Sequence, residues 1–223
     1  IWDGVPVLGV VDAYAAPHDG GDRFAWAEGC GPLTRNGRPV ERAPLATSLS
    51  EDLTLLVSQA ADRTPGFSRA NAELCSPARF RPMPSIAYRL ALVAAGDAEA
   101  GVSLAGPEGW DYAGGHALQR AVGGTLVDGD GREVTYSANG WSQAGRCFGG
   151  SLALTRELAA RDWGRIHRGG GSATTDGGPF ELTRPRVDRV VEGSRLARAQ
   201  GALVGQLVGD ALTALIGQAV GLH

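Results

Sequence analysis

Residues Trp110 to Gly131 read WDYAGGHALQRAVGGTLVDGDG. The alanines, Leu118 and Val122 recur at helical spacing over Tyr112 to Val122, and Gly123-Gly124 stops the run. Thr125 to Val127 then has the composition of a strand, with Glu133 to Tyr136 expected as its partner across the Asp128-Gly129-Asp130-Gly131 turn. Asp111 stands at the start of the helix, where a carboxylate meets the positive end of the helix dipole and unpaired backbone N–H groups. Ala113, Gly114 and Gly115 let another backbone or a ligand approach the first turn closely. A carboxylate held this way suits Mg²⁺, which takes hard oxygen donors and keeps waters and substrate phosphate in its other positions. The plainer reading is an N-cap Asp beside a packed Trp, and one carboxylate does not make a metal site.

Working outward, Ile86, Leu90 and Val93 with the alanines between them form one apolar helix face from Ser85, and Gly96 ends it at a C′ position. Glu99 to Leu104 returns as a strand. Nearer the start, Val5 to Ala13 (VPVLGVVDA) is a buried strand, with Ile1-Trp2 expected as the tail of a strand before the Asp3-Gly4 turn. Arg23 to Glu28 follows as a strand, and Asn36-Gly37 suits a tight hairpin, so this region reads as an antiparallel meander. Asp52 to Gln59 is a further strand, and Pro65 to Leu74 and Ser151 to Asp162 are helices. Gly164 to Gly178 has the composition of a flexible connector. The expected organisation is a domain over 1–163, a Gly-rich linker over 164–184 and a helical segment over 185–223.

The 223 residues carry 21 basic and 24 acidic side chains, for a net charge of -3, so no basic surplus is available to neutralise a nucleic acid backbone. Every basic residue apart from the histidines is Arg, which excludes a Lys nucleophile. Cys30, Cys75 and Cys147 are odd in number and lack CxxC spacing, which argues against a disulfide framework or zinc knuckle and fits a cytoplasmic location. The chain opens on Ile1 without a basic-then-apolar leader, and its last apolar pattern runs to His223, so both ends are expected to be cut.

The stretch from Trp110 to Gly115, with Ala121-Val122-Gly123-Gly124 and the strand and turn after it, resembles the second signature of the inositol monophosphatase family. Val5 to Val11 resembles that family's P-V-x-G-V-V strand. Ala27 to Gly37 is similar to its Asn-Gly hairpin, and Ser85 to Gly96 to its S-x-A helix. The matches stand in family order over residues 5 to about 160. The resemblance implies an α/β fold, a layered αβαβα sandwich incomplete at its N-terminus. It also implies Mg²⁺-dependent hydrolysis of a small-molecule phosphate monoester by an activated water. Asp111 would be the last metal-ligand Asp, also placed to touch a substrate hydroxyl. Ser85 and Ile86 would line the substrate side through their backbone, and a base at position 89, here Arg89, is a hint of an additional phosphate. The family's upstream metal-binding Glu and its D-P-[IL]-D-G-T motif do not occur in this sequence, so these residues by themselves are expected to be inactive. Val102, Ser103 and Leu104 stand where inositol-specific members place a substrate-contacting Glu, which argues against inositol phosphate itself.

Arg198 to Leu212 (RAQGALVGQLVGDAL) resembles the opening helix of ADP-ribosylglycohydrolases, which implies a fusion with the start of an all-α domain. Its Gly201, Gly205 and Gly209 are explained by close helix packing, and no catalytic residue carries over. A membrane span is disfavoured by Asp210, since a mid-bilayer Asp costs ~3 kcal/mol. Two rivals remain: a parent whose main activity is removal of ADP-ribose, and a non-catalytic interaction module. The oligomeric state stays open, a homodimer included. His116 reads as a packed or surface residue, His18 and His167 as solvated, and Cys147 lacks a relay that would make it a nucleophile.

Overall fold

Alternation along the first strands decides which side of the first sheet is buried. In β1 (Leu8–Ala13) Val11 points inward while Leu8, Val10 and Asp12 are exposed, and in β2 (Asp22–Ala27) Phe24 is the buried partner of Val11. β3 (Thr34–Arg35) and β4 (Arg38–Pro39) complete an antiparallel sheet in the order β1-β2-β3-β4. Asn36 and Gly37 join them with φ of 50° and 76°, the two positive values that a two-residue hairpin turn requires. The same chemistry acts at Asp3-Gly4, where Trp2 pairs with Val5 in a single bridge across the turn. These are features of a computed structural model that describes residues 1–14, 21–138 and 140–166. Most of the expected linker, the whole 185–223 segment, His18 and His167 lie outside the described residues.

The second sheet is mixed. β5 (Thr54–Ser58) lies between β6 (Arg79–Met83) and β7 (Ala100–Ser103), parallel to both, and β9 (Cys147–Gly150) runs antiparallel between β7 and β8 (Thr125–Asp128). β5 is a near-continuous apolar run because both faces are covered. Leu55 and Val57 pack with Leu74 and Cys75 of α1 (Pro65–Cys75) and with Leu154 and Leu158 of α4 (Leu152–Ala159). Leu56 faces the other way, into a core shared with Ala91 and Val93 of α2 (Ile86–Ala95), Leu118 of α3 (Gly109–Ala121), and Val11 and Phe24 of the first sheet. The layers therefore run α1/α4, mixed sheet, α2/α3, antiparallel sheet. This is the layered α/β architecture that the resemblance implies.

Two strands escape the sequence reading and one expected strand is absent. β6 contains Pro82, tolerated because β6 is an edge of the sheet. β9 ends in Gly149-Gly150, where glycine is required because a Cβ at Gly149 would strike Leu90. β9, and not Glu133–Tyr136, is the ladder partner of β8; Glu133 makes only an isolated bridge with Val127.

Candidate active site

The chain leaving β5 turns toward α1 on one face of the mixed sheet, and the chain leaving β7 turns toward α3 on the other. Ligand crevices form at such divergences, outside the carboxyl ends of parallel neighbours. A cleft of about 290 Å³ opens here, between the N-terminal ends of α2 and α3 and the end of β7. Its wall contains Ser85, Ile86, Ser103, Pro107 and Asp111, side chains drawn from three separate stretches. Two helix N-termini converging on one cleft favour negative charge in a ligand.

Ser85 caps α2 with φ of 52° and ψ of 121°, a conformation that non-glycine residues rarely adopt. Its hydroxyl accepts from the Tyr88 N–H at 3.4 Å. The hydroxyl is thus occupied by capping, and the unusual backbone sets how Ser85 and Ile86 meet the cleft. Backbone strain of this kind concentrates at ligand sites.

Asp111 is exposed at the cleft and is the third residue of α3, not its N-cap. The cap is Glu108, whose backbone N–H donates to Asp111 Oδ2 at 3.0 Å, one half of a capping box. The helix begins a turn earlier than the motif suggested because Gly109 fits under Ser142, where a Cβ would crowd the Ser142 backbone. Trp110 is not a packed neighbour: it is 70% exposed and meets Trp141 edge to face at 5.9 Å. The small residues after Asp111 serve backbone packing, with Gly114 against β1 and Gly115 against Leu90 and Ala87 of α2.

Of the sequence-predicted residues, Ser85, Ile86 and Asp111 share the cleft, and Arg89 lines the adjoining cavity instead. Ala105, Gly106 and Pro107, which complete the cleft wall, carried no signal beyond a Gly-Pro turn. Glu108 was also missed: its Oε2 is buried without a hydrogen-bond partner among the described residues. The spacing of Glu108 and Asp111, three apart at a helix start, is the signal that would have found it. His116 is buried and reaches the Tyr136 hydroxyl through Nδ1 at 3.1 Å.

Mg²⁺ prefers several oxygen donors, carboxylates foremost. Asp111 is of the right kind, but among the described residues no group of three His, Cys, Asp or Glu side chains gathers anywhere. The donor set suits Mg²⁺ in chemistry and falls short in number.

The sequence profile of the inositol monophosphatase family matches residues 1–161. The chain belongs to that family. Members of the inositol monophosphatase family are phosphatases and generally depend on Mg²⁺. Solved structures with the same fold include a Staphylococcus aureus inositol monophosphatase II with inositol monophosphate bound, at 21% identity and a TM-score of 0.55, covering 75% of this chain and 61% of that one. An inositol monophosphatase from Anabaena (Nostoc) matches at 23% identity and a TM-score of 0.51, covering 74% of this chain and 62% of that one. The Thermotoga maritima enzyme matches at 22% and 0.51, covering 73% and 56%. The chain thus spans about three fifths of the length of these relatives. No match occurs among curated proteins. Among the described residues no helix is long and apolar enough to cross a membrane.

Proposed function

We propose that these residues form the leaving-group side of a phosphomonoesterase active site acting on a sugar, inositol or nucleotide phosphate. The observation that carries this reading is the convergence of Ser85, Ile86, Ser103 and Asp111 on one cleft faced by two helix N-termini. Family membership supplies the reaction class, hydrolysis of a phosphate monoester.

In this reading the Asp111 carboxylate has two tasks. One oxygen is a ligand for Mg²⁺ in a protein that supplies the remaining carboxylates, and the carboxylate also accepts a hydrogen bond from a substrate hydroxyl. The capping bond from Glu108 holds it at the cleft. Ser85 and Ile86 present backbone to the ester, and Val102, Ser103 and Leu104, which stand where inositol-specific members place a Glu, leave that part of the wall uncharged. The substrate is therefore expected to differ from inositol monophosphate. No hydrolytic step is assigned to Asp111 alone, and the 223 residues by themselves are expected to release no phosphate.

The test is turnover of a panel of phosphomonoesters with Mg²⁺ by a full-length protein containing this sequence and the further carboxylates. Asp111→Asn, which removes charge without volume, should lower turnover by orders of magnitude. Near-normal rates in that variant would remove the assignment. That no group of three His, Cys, Asp or Glu side chains gathers among the described residues also favours a second reading, a non-catalytic module that keeps the fold; no turnover of any ester, with Asp111→Ala changing nothing, would support it. The tail's likeness to the start of an ADP-ribosylglycohydrolase domain is a separate proposal, tested by Mg²⁺-dependent release of ADP-ribose.

A further inference from the structure

His116 and Glu133 take no part in the phosphomonoesterase reading, yet both line a cavity of about 400 Å³ where α3 ends against β8. The walls of this cavity share no residue with the Asp111 cleft. Nine residues of helix, about 14 Å, separate Asp111 from Arg120 at this end.

His116 is 4% exposed, and its Nδ1 meets the Tyr136 hydroxyl at 3.1 Å. Its Nε2 has no hydrogen-bond partner among the described residues. A polar atom left unpaired in a buried ring is costly, so the packing of α3 does not account for a histidine at this position. Burial keeps the ring neutral down to about pH 4, with one donor and one acceptor nitrogen.

The charges of the wall do not cancel. Arg120 is engaged: Nη1 donates to the Pro6 carbonyl at 2.6 Å, and Nη2 pairs with Glu28 at 3.5 Å. Glu133 takes the Thr125 hydroxyl on Oε1 at 2.9 Å, and among the described residues no cation pairs with it. One uncompensated carboxylate therefore remains, and α3 adds the negative end of its dipole where Gly123 and Gly124 line the cavity. Pro6, Val134 and Leu152 supply apolar surface beside these groups. A metal ion would need a third ligand, and among the described residues no group of three His, Cys, Asp or Glu side chains gathers.

We propose that this cavity binds a primary ammonium group carried on a short aliphatic chain. The ammonium meets the Glu133 carboxylate as its counter-charge and donates to His116 Nε2, the acceptor of the ring when Nδ1–H donates to the Tyr136 oxygen. The aliphatic chain covers Pro6, Val134 and Leu152, which an inorganic cation leaves bare. An anion would face Glu133 with Arg120 already paired. The site is separate from the phosphomonoesterase reading and uses none of its residues.

The experiment titrates the 223-residue chain with n-butylammonium and, separately, with butyrate and with potassium ion. The readouts are calorimetry and the ring nitrogen resonances of His116. Saturable binding of n-butylammonium that moves the Nε2 resonance is expected, about tenfold weaker in Glu133→Gln and unchanged in Asp111→Asn. Glu133→Gln keeps the volume and the Thr125 bond at an exposed position, so the fold does not depend on it. Absence of saturable binding, or equal binding in wild type and Glu133→Gln, overturns the proposal. Butyrate binding as tightly as n-butylammonium overturns the sign of the ligand's charge, and potassium binding as tightly overturns the aliphatic chain. Thr135→Trp, at another exposed position of the wall, fills the cavity and is expected to abolish the His116 response; an undiminished response in that variant overturns the site. Neither readout depends on phosphate release, so the phosphatase reading stands or falls apart from this result.

Discussion

Asp111 and His116 lie little more than a turn apart on α3 in opposite environments. Asp111 is solvent-exposed at the cleft, whereas His116 is 4% exposed against the Tyr136 ring. Burial, helped by Arg120, pushes the His116 pKa down from 6.5 to about 4. The unfolded chain binds this proton near pH 6.5 and the folded chain only near pH 4. Stability held above that window is therefore lost as pH falls from about 6.5 to about 4, by up to about 3 kcal/mol. Urea denaturation at pH 7 and pH 5 should show this slope in wild type and a flatter one in His116→Gln; equal slopes would refute it. The same desolvation raises the Cys147 thiol to about 12, which keeps it protonated inside β9 and agrees with its lack of a relay.

At the scale of elements, α3 is held by absent side chains. A Cβ on Gly9 of β1 would collide with the Gly114 carbonyl and Ala117, and one on Gly115 would collide with Leu90. Gly9→Ala meets rigid backbone, so we expect a loss of about 1–3 kcal/mol, measured as a lower midpoint in chemical denaturation. Gly29→Ala, at a position with nothing near a new Cβ but a φ of 78°, is the control for backbone strain alone, and an equal loss there would discount the packing argument. The helices α1, α2 and α4 were legible in the sequence, and their ends agree with the chemistry of helix termini: Thr64 and Ser151 cap α1 and α4 in the structure, and Gly96, expected at the end of α2, closes it at a φ of 88°. β6 and β9 were not legible, since Pro82 and the paired glycines are local signals against a strand that only sheet position and the neighbouring Leu90 reverse.

Across the whole molecule, one polar network joins the antiparallel sheet to the helix layer carrying Ser85. Asp22, 1% exposed, takes both arms of Arg35 at 2.7 Å and the Tyr88 hydroxyl at 2.9 Å, while Arg35 also reaches Asp97 at 2.9 Å and lies over Phe24. Asp22→Ala leaves Arg35 without its main partner and should cost about 3 kcal/mol, whereas Tyr88→Phe should cost about 1 kcal/mol. Thermal or urea melts of the two variants check the order; the reverse order would mean that the sheet is held by apolar packing instead. What the sequence determined by itself is what acts over a few residues. This includes the helix and strand periods, the Asn36-Gly37 turn, Asp111 at a helix start, and motifs specific enough to indicate the family. The tertiary structure alone decided that Ser85, Ser103 and Asp111 share a cleft, that Arg89 lines the adjoining cavity, and that Asp22 meets Tyr88 across 66 residues of chain. Such meetings depend on strand order and on which sheet face each crossover covers, and these are set by burial of the whole core, not by any local run of side chains.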